Sequence, residues 1–264
     1  MSKGSWLEIL AQKLYSRCGY FENRWSEELM LNIEDPSAEQ ATALLEGGFR
    51  RYGKIFYRSE CPHCRQCMSY RVLVEKFNLT KSLKRVLKKN RDLIFQWAKP
   101  YFTISKARLY LRYLWEQHRE SSWNVEKWKS LWRRESLMNL KQQLYTPIRS
   151  TLELTVYLNA LLVGFAIFDV TPQAVSAVYS VYDTSLRERS LGTAIILEGW
   201  RFARKNKIPY YYLGYYIPDS RKMNYKKRFR PAEIRDPDTG EWVSAELVER
   251  KLSQSSKPPD GEHA

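Results

Sequence analysis

The sequence predicts an α/β (α+β) fold, and three stretches carry that reading. Residues 151–170, TLELTVYL-NA-LLVGFAIFDV, alternate at strand period on either side of a two-residue turn. Residues 174–216 follow as strand, helix and strand: AVSAVYSVYD, SLGTAIILEGWRFARKN and IPYYYLGYY. Ahead of both, residues 103–118, TISKARLYLRYLWEQH, repeat their apolar side chains at helical spacing behind a Thr/Ser start.

Each element has a local reason. Asn159-Ala160 is short enough to close an antiparallel hairpin. Residues 174–183 are rich in Val and Tyr, which suit a pleated, half-buried surface. Ser190 is an expected N-cap of the following helix, whose last turns carry Arg201, Arg204 and Lys205 at the negative end of the dipole. The Trp-rich segment after residue 118 also reads as helical. Two parts are expected. Residues 1–100 hold all four cysteines and end in a basic helix, and residues 101–250 form the α/β unit. Residues 251–264, KLSQSSKPPDGEHA, read as a polar, flexible tail.

At 264 residues the chain can bury a sizeable core. Its net charge of +15 favours a polyanionic partner, since the basic residues cluster rather than spread. The N-terminal MSKGSWLEILAQKLYSRC lacks a long apolar run ending in a small-residue cleavage site, so no signal peptide is read. The longest apolar region is broken by Glu153, Asn159 and Gly164, so no membrane span or membrane partner is expected. The expected location is cytoplasmic. Thiols stay reduced there, so the cysteines point to metal or redox chemistry before disulfides.

Four motifs bear on function. Arg189, Ser190, Leu191 and Gly192 open a helix directly after a strand, where free N–H groups and the helix dipole favour phosphate. That junction resembles the pyrophosphate loop of the GNAT acyltransferase fold. Lys81, Lys84, Arg85 and Lys88 recur at i, i+3, i+4 and i+7 and share one helix face, opposite Leu83, Val86 and Leu87. RKMNYKKRFR, residues 221–230, places six basic residues around Tyr225 and Phe229, a mixture that suits stacked bases and phosphates. CPHCRQC supplies Cys61, Cys64 and Cys67, and Cys18 makes a fourth thiol. The spacing admits zinc, an iron–sulfur cluster, with His63 as a spare ligand, or unligated thiols.

Several stretches together resemble the aminoacyl-tRNA–protein transferases of the N-degron pathway: ALLEGGFRRYGKIFYRSEC, CRQCMSYRVLVEKFNLTKSLKRVLKKNRDL, SVYDTSLRERSLGTAIILEGWRFARKNKIPYYYLGYYI and KMNYKKRFRPAEI. The resemblance runs from Cys18 to Trp242, and its length is that of the short bacterial leucyltransferases, with arginine-using relatives. It implies a GNAT-like acyltransferase core with a smaller cysteine-containing N-terminal domain. It also implies aminoacyl-tRNA and proteins with acidic N-termini as partners, transfer of leucine or arginine, and no CoA.

The reaction so implied is aminolysis of an activated ester by an α-amine. Arg50, Arg51, Arg71, Lys81 and Arg85 are the candidates for gripping an acidic N-terminal residue, guanidinium being suited to two-point carboxylate binding. Tyr179, Tyr182 and Asp183 at a strand end, with Tyr212, are the catalytic candidates. Strand alternation would set Tyr212 and Tyr216 on one face and Tyr215 on the other. Lys84, Lys88, Arg189, Ser190, Leu191, Gly192, Lys222, Tyr225, Lys226 and Arg230 are the candidates for tRNA. A CoA-dependent N-acetyltransferase and a non-catalytic RNA-binding or iron–sulfur sensor protein are the alternatives. The oligomeric state is left open.

Overall fold

A computed structural model describes residues 11–117, 126, 129–130, 134–220 and 223–255. A four-stranded antiparallel sheet comes first, built from β1 (Gln12–Arg17), β2 (Trp25–Asn32), β3 (Arg50–Tyr52) and β4 (Ile55–Ser59) in the order β1-β2-β4-β3. Helix α1 (Ala38–Glu46) precedes β3 and starts on a capping box between Ser37 and Gln40. Leu29, Leu31, Leu44, Phe49 and Phe56 form the small core of this part.

The second sheet has eight strands. They are β5 (Met68–Leu73), β6 (Ile94–Ala98), β7 (Thr151–Leu158), β8 (Leu161–Val170), β9 (Ala174–Tyr182), β10 (Tyr210–Tyr216), β11 (Ala232–Arg235) and β12 (Trp242–Ser244). Their order is β12-β11-β5-β10-β9-β8-β7-β6. Asn159 and Ala160 take positive φ at the β7–β8 turn, as a two-residue hairpin loop requires. Helices α2 (Lys81–Lys89) and α5 (Leu191–Lys205) pack together, with Ile195, Leu197 and Trp200 in the core that α5 covers. Helices α3 (Ile104–Gln117) and α4 (Arg134–Leu144) bury Leu111 and Leu140 against Phe165 and Ile167. Helix α6 (Ala245–Ser255) packs on β11 and β12. The expected two-strand hairpin, the third strand, the helix 190–206 and the strand near 210 are all present. The Trp-rich segment lies partly outside the described residues, and its end is α4.

Two boundaries move. Sheet membership changes after β4, near residue 60, rather than at residue 100, because β5 and β6 both join the larger sheet. The reason is burial: five of the six β5 residues are buried and need neighbours on both edges, which β10 and β11 supply. The expected tail from 251 begins as helix, since α6 continues through Ser255.

The feature that positions the site is a parting of strands. β9 and β10 are the one parallel pair described and are joined across α5. They pair only over Ala174–Ser176 and Tyr210–Tyr212. Beyond that, β9 stays with β8 as far as Tyr182, and β10 stays with β5 as far as Tyr216. The sheet therefore opens as a V at the carboxyl ends of both strands, where open α/β sheets bind ligands.

A bulge between Tyr212 and Gly214, with Gly214 at φ +78°, changes which tyrosines face the V. One extra residue reverses the alternation. Tyr212 and Tyr215 consequently share the face toward Trp242 and Tyr57, while Tyr211 and Tyr216 enter the α5-side core. The expected Tyr212–Tyr216 pairing is overturned for this reason.

A buried ion pair ties the two sheets. Arg51 on β3 donates from Nε and Nη2 to the two carboxylate oxygens of Asp169 on β8, each at 2.7 Å. Thr151 donates to the same carboxylate at 2.8 Å, and Arg51 Nη1 reaches the Gly53 carbonyl at 3.0 Å. No helix among the described residues is long and apolar enough to cross a membrane.

Candidate active site

The mouth of the V is lined from three directions. From β10, Gly214 and Tyr215 form one wall. From β9, Tyr179 and Tyr182 form the other; Tyr179 meets Tyr110 of α3 at a tilt and Tyr182 meets Tyr113 edge to face, with ring centroids 6.0 Å and 5.0 Å apart. From β3, Arg50 reaches in from above, its guanidinium 5.3 Å from the centre of the Tyr215 ring. A Cβ on residue 214 would stand 2.7 Å from Arg50 Cζ, so glycine is needed there for space as well as for its positive φ.

Arg50 is the candidate arginine of the cleft with which no described carboxylate forms an ion pair; Arg85 is also unpaired among the described residues but lies exposed on α2. Burial works against its charge, but the hydroxyls of Tyr57, Tyr20, Tyr215 and Tyr225 outweigh that and raise its pKa. Tyr225, on a 3₁₀ turn at Asn224–Arg228, interacts electrostatically with Arg50, Tyr113, Tyr182 and Tyr211, so its hydroxyl belongs to the cleft. Lys226 on the same turn is 1% exposed. Its Nζ donates to the carbonyl of Tyr215, lies 3.3 Å from Met223 Sδ and has no carboxylate partner among the described residues. Burial, reinforced by the nearby charge of Arg50, pulls its pKa down to about 7.

Other candidates have structural duties. Arg51 is consumed by Asp169, and Arg71 by Glu233 at 2.7 Å and the Tyr212 hydroxyl at 3.1 Å. Arg71 is also sandwiched between Tyr210 and Trp242, 3.9 Å and 4.2 Å from their ring centres. Tyr212 therefore supports this cluster and does not face Tyr182. Lys81 and Arg85 lie on the exposed face of α2 with Lys84 and Lys88, away from Arg50, because the β5–α2 connection carries them to the α5 side.

Asp183 sits at the mouth, but its oxygens are engaged. It caps the 3₁₀ turn Thr184–Arg189 by accepting from Ser185 N and Oγ, and it pairs with Arg112 at 2.6 Å. Partial burial opposes its ionisation; the two Ser185 bonds and Arg112 prevail and keep its carboxyl below the usual range.

At the start of α5 a cavity of about 190 Å³ is lined by Tyr182, Asp183, Arg187, Ser190, Leu191 and Gly192. Ser190 is left-handed at φ +53° and makes no side-chain cap, so it leaves the first N–H groups of α5 without one. Gly192 is needed for packing: a Cβ there would lie 2.9 Å from the Tyr182 ring. Arg189 turns away and forms a two-point pair with Asp92 at 2.8 Å and 3.0 Å. A larger groove of about 720 Å³ runs past Arg85, Lys88, Lys89 and Arg91. In the second basic cluster, Lys227 and Arg228 are exposed, whereas Arg230 is held by Glu249 and Glu246 of α6 and Lys226 is buried. Lys222 lies outside the described residues.

The four thiols line one cavity of about 670 Å³ beneath the mouth, together with Tyr20, Tyr57 and Tyr215. Glu27 N–H points at Cys61 Sγ at 3.4 Å and Arg24 Nη1 at Cys64 Sγ at 3.8 Å, donors that suit thiolates. Burial pushes the Cys67 thiol up to about 12, and Cys61, Cys64 and Cys18 all act on it. Among the described residues, no group of three or more His, Cys, Asp and Glu is placed to grip an ion directly. The donor chemistry thus fits a thiolate-bound group, although the sulfurs are not drawn together around one. His63 is exposed and does not line this cavity.

A parallel strand pair parts over a helix N-terminus with cations and hydroxyls at the opening, the α/β arrangement expected of a transferase that binds its ligand at the carboxyl edge of the sheet. The sequence model described as "Arginine-tRNA-protein transferase, C terminus" matches residues 105–236, and its N-terminal companion matches residues 16–85. The chain belongs to this family of aminoacyl-tRNA–protein transferases. A protein of Leptospira interrogans named aspartate/glutamate leucyltransferase is 34% identical over 242 residues, covering 90% of this chain and 92% of that one. A protein of the same name from Marinobacter nauticus is 34% identical over 85% of this chain and 91% of its own. The crystal structure of FemX is similar over 89% of both chains, with a TM-score of 0.47 and 8% identity, a distance too great to bear on chemistry.

Three residues at the mouth are not among the sequence candidates: Tyr215, whose face alone the sequence reading addressed, Gly214 and the α3 residue Tyr113. A glycine inside the apolar strand YYYLGYY is itself a sign of a bulge and a close approach, and it was the available signal.

Proposed function

We propose that this chain transfers leucine from charged tRNA to the α-amine of proteins beginning with Asp or Glu. The observation that carries this reading is Arg50, a guanidinium set at the mouth of the V with no carboxylate partner among the described residues. An acidic N-terminal side chain supplies the missing partner and brings its α-amine to the parted strands. The names of the relatives agree in both the amino acid and the acceptor. The α5 cavity and the basic groove suit the terminal phosphates and acceptor stem of a tRNA. Positioning of an already activated ester then supplies much of the rate.

The test is incubation with Leu-tRNA or Arg-tRNA and peptides starting with Asp, Glu or Ala. Label should move from Leu-tRNA to the Asp and Glu peptides alone. Transfer from Arg-tRNA only, or equal transfer to Ala, would overturn the reading.

We further propose that Cys18, Cys61, Cys64 and Cys67 hold zinc or an iron–sulfur cluster that shapes the floor under Tyr215. The metal would supply a fixed point for the loops carrying Tyr20 and Arg24. Protein purified without oxygen should contain zinc or iron and lose it on Cys64→Ser. Equal metal content in protein and variant would count against a thiol site.

A further inference from the structure

Lys226 is a buried amine that ion pairing does not explain. It stands at the carbonyl of Tyr215, beyond the last β10 residue paired with β9, while Arg50 lies over the ring of the same residue. Two cations on one tyrosine, Lys226 buried and Arg50 half-buried, with no described carboxylate pairing with either, repel each other, and the lysine has also lost its solvation. Arginine cannot give up its proton, so the lysine is the member that does.

The groups facing the Lys226 amine are Arg50 from β3, the Tyr215 carbonyl of β10, and Met223 and Tyr225 beside it on its own turn. Tyr70 of β5 donates to the Lys226 main-chain carbonyl. Glu246 and Glu249 of α6 are occupied by Arg230, and Asp219 accepts from Gln66. None of these neighbours is a free base, and Asp183 is committed to Ser185 and Arg112.

We infer that Lys226 is the proton acceptor for the incoming α-ammonium group, and that the acidic side chain on Arg50 enables it to act. This rests on the transfer reading above. The α-ammonium gives one proton to the Lys226 lone pair, directly or through one water. The freed amine attacks the aminoacyl carbonyl carbon, and the bond from that carbon to the tRNA 3′-oxygen breaks. A second N–H proton goes to that oxygen, leaving one on the new amide, and Lys226 returns its proton to solvent. Such a base works best with a pKa near the working pH, and burial beside Arg50 pulls Lys226 down to about 7. A carboxylate seated on Arg50 offsets the charge that Lys226 acquires. A neutral N-terminal residue does not, so discrimination against Ala peptides should appear in kcat as well as in KM.

The experiment is single-turnover transfer from Leu-tRNA to an Asp-starting peptide between pH 5.5 and 9, on the whole chain and on Lys226→Met. Methionine keeps the volume and removes the base. The native enzyme should rise through about pH 7. The variant should be at least about 10²-fold slower at pH 7, climb only as the peptide amine titrates near pH 8, and melt no lower than the native protein. Lys226→Ala should recover part of its rate with added ethylamine. Identical pH profiles in native protein and Lys226→Met, or no amine recovery in a folded Lys226→Ala, would overturn the assignment. A native enzyme that transfers nothing to the peptide would remove the transfer reading itself.

Discussion

Arg50→Ala should lower kcat/KM for Asp- and Glu-starting peptides by about 10²–10³-fold, equivalent to about 3–4 kcal/mol, while leaving the melting temperature no lower. Arg50 pairs with no described carboxylate, so the variant removes a half-buried cation without orphaning a buried charge. The cost is met only when substrate arrives, because the acidic side chain then enters an uncharged mouth. Arg50→Lys should recover only part of the loss, since an ammonium cannot match a carboxylate at two points. Turnover of Asp peptides by Arg50→Ala at the native rate would show that the carboxylate is read elsewhere.

The neighbouring arginine should behave in the opposite way. Arg51→Ala and Asp169→Ala should each lower stability by about 3–5 kcal/mol, because either change leaves an unpaired charge in the protein interior. The Arg51 side chain is 2% exposed and that of Asp169 9%, so water cannot take over the lost bonds. Replacing both with apolar residues of similar volume should recover much of the loss, so the two single effects will not add. Chemical denaturation of the four proteins measures this. Additive losses, or single losses under about 1 kcal/mol, would mean that the pair does not hold the sheets together.

Successive residues of one three-residue strand thus divide the work. β3 sends Arg51 to the interface with β8 and Arg50 to the mouth of the V, as alternation requires. Both were legible as cations able to clamp a carboxylate. Which was already clamped was not, because Asp169 lies 118 residues away in sequence. Arg71 and Glu233 are separated by 162 residues and Arg189 and Asp92 by 97. No local pattern announces these pairs.

The sequence by itself determined the secondary elements of the α/β unit, the strand–helix–strand order that makes the parting pair, and the family. Those depend on local periods, turn residues and long ordered motifs, which a linear reading captures. Tertiary structure alone decided which candidate cations are already paired, which tyrosines face the cleft and which lysine is buried without a described carboxylate. Each of these turns on burial and on partners brought from distant strands. A single extra residue at Gly214 was enough to reverse the tyrosine faces. A charge carries the same letter wherever it stands, but its availability is set by the solvent it loses and the partner it finds.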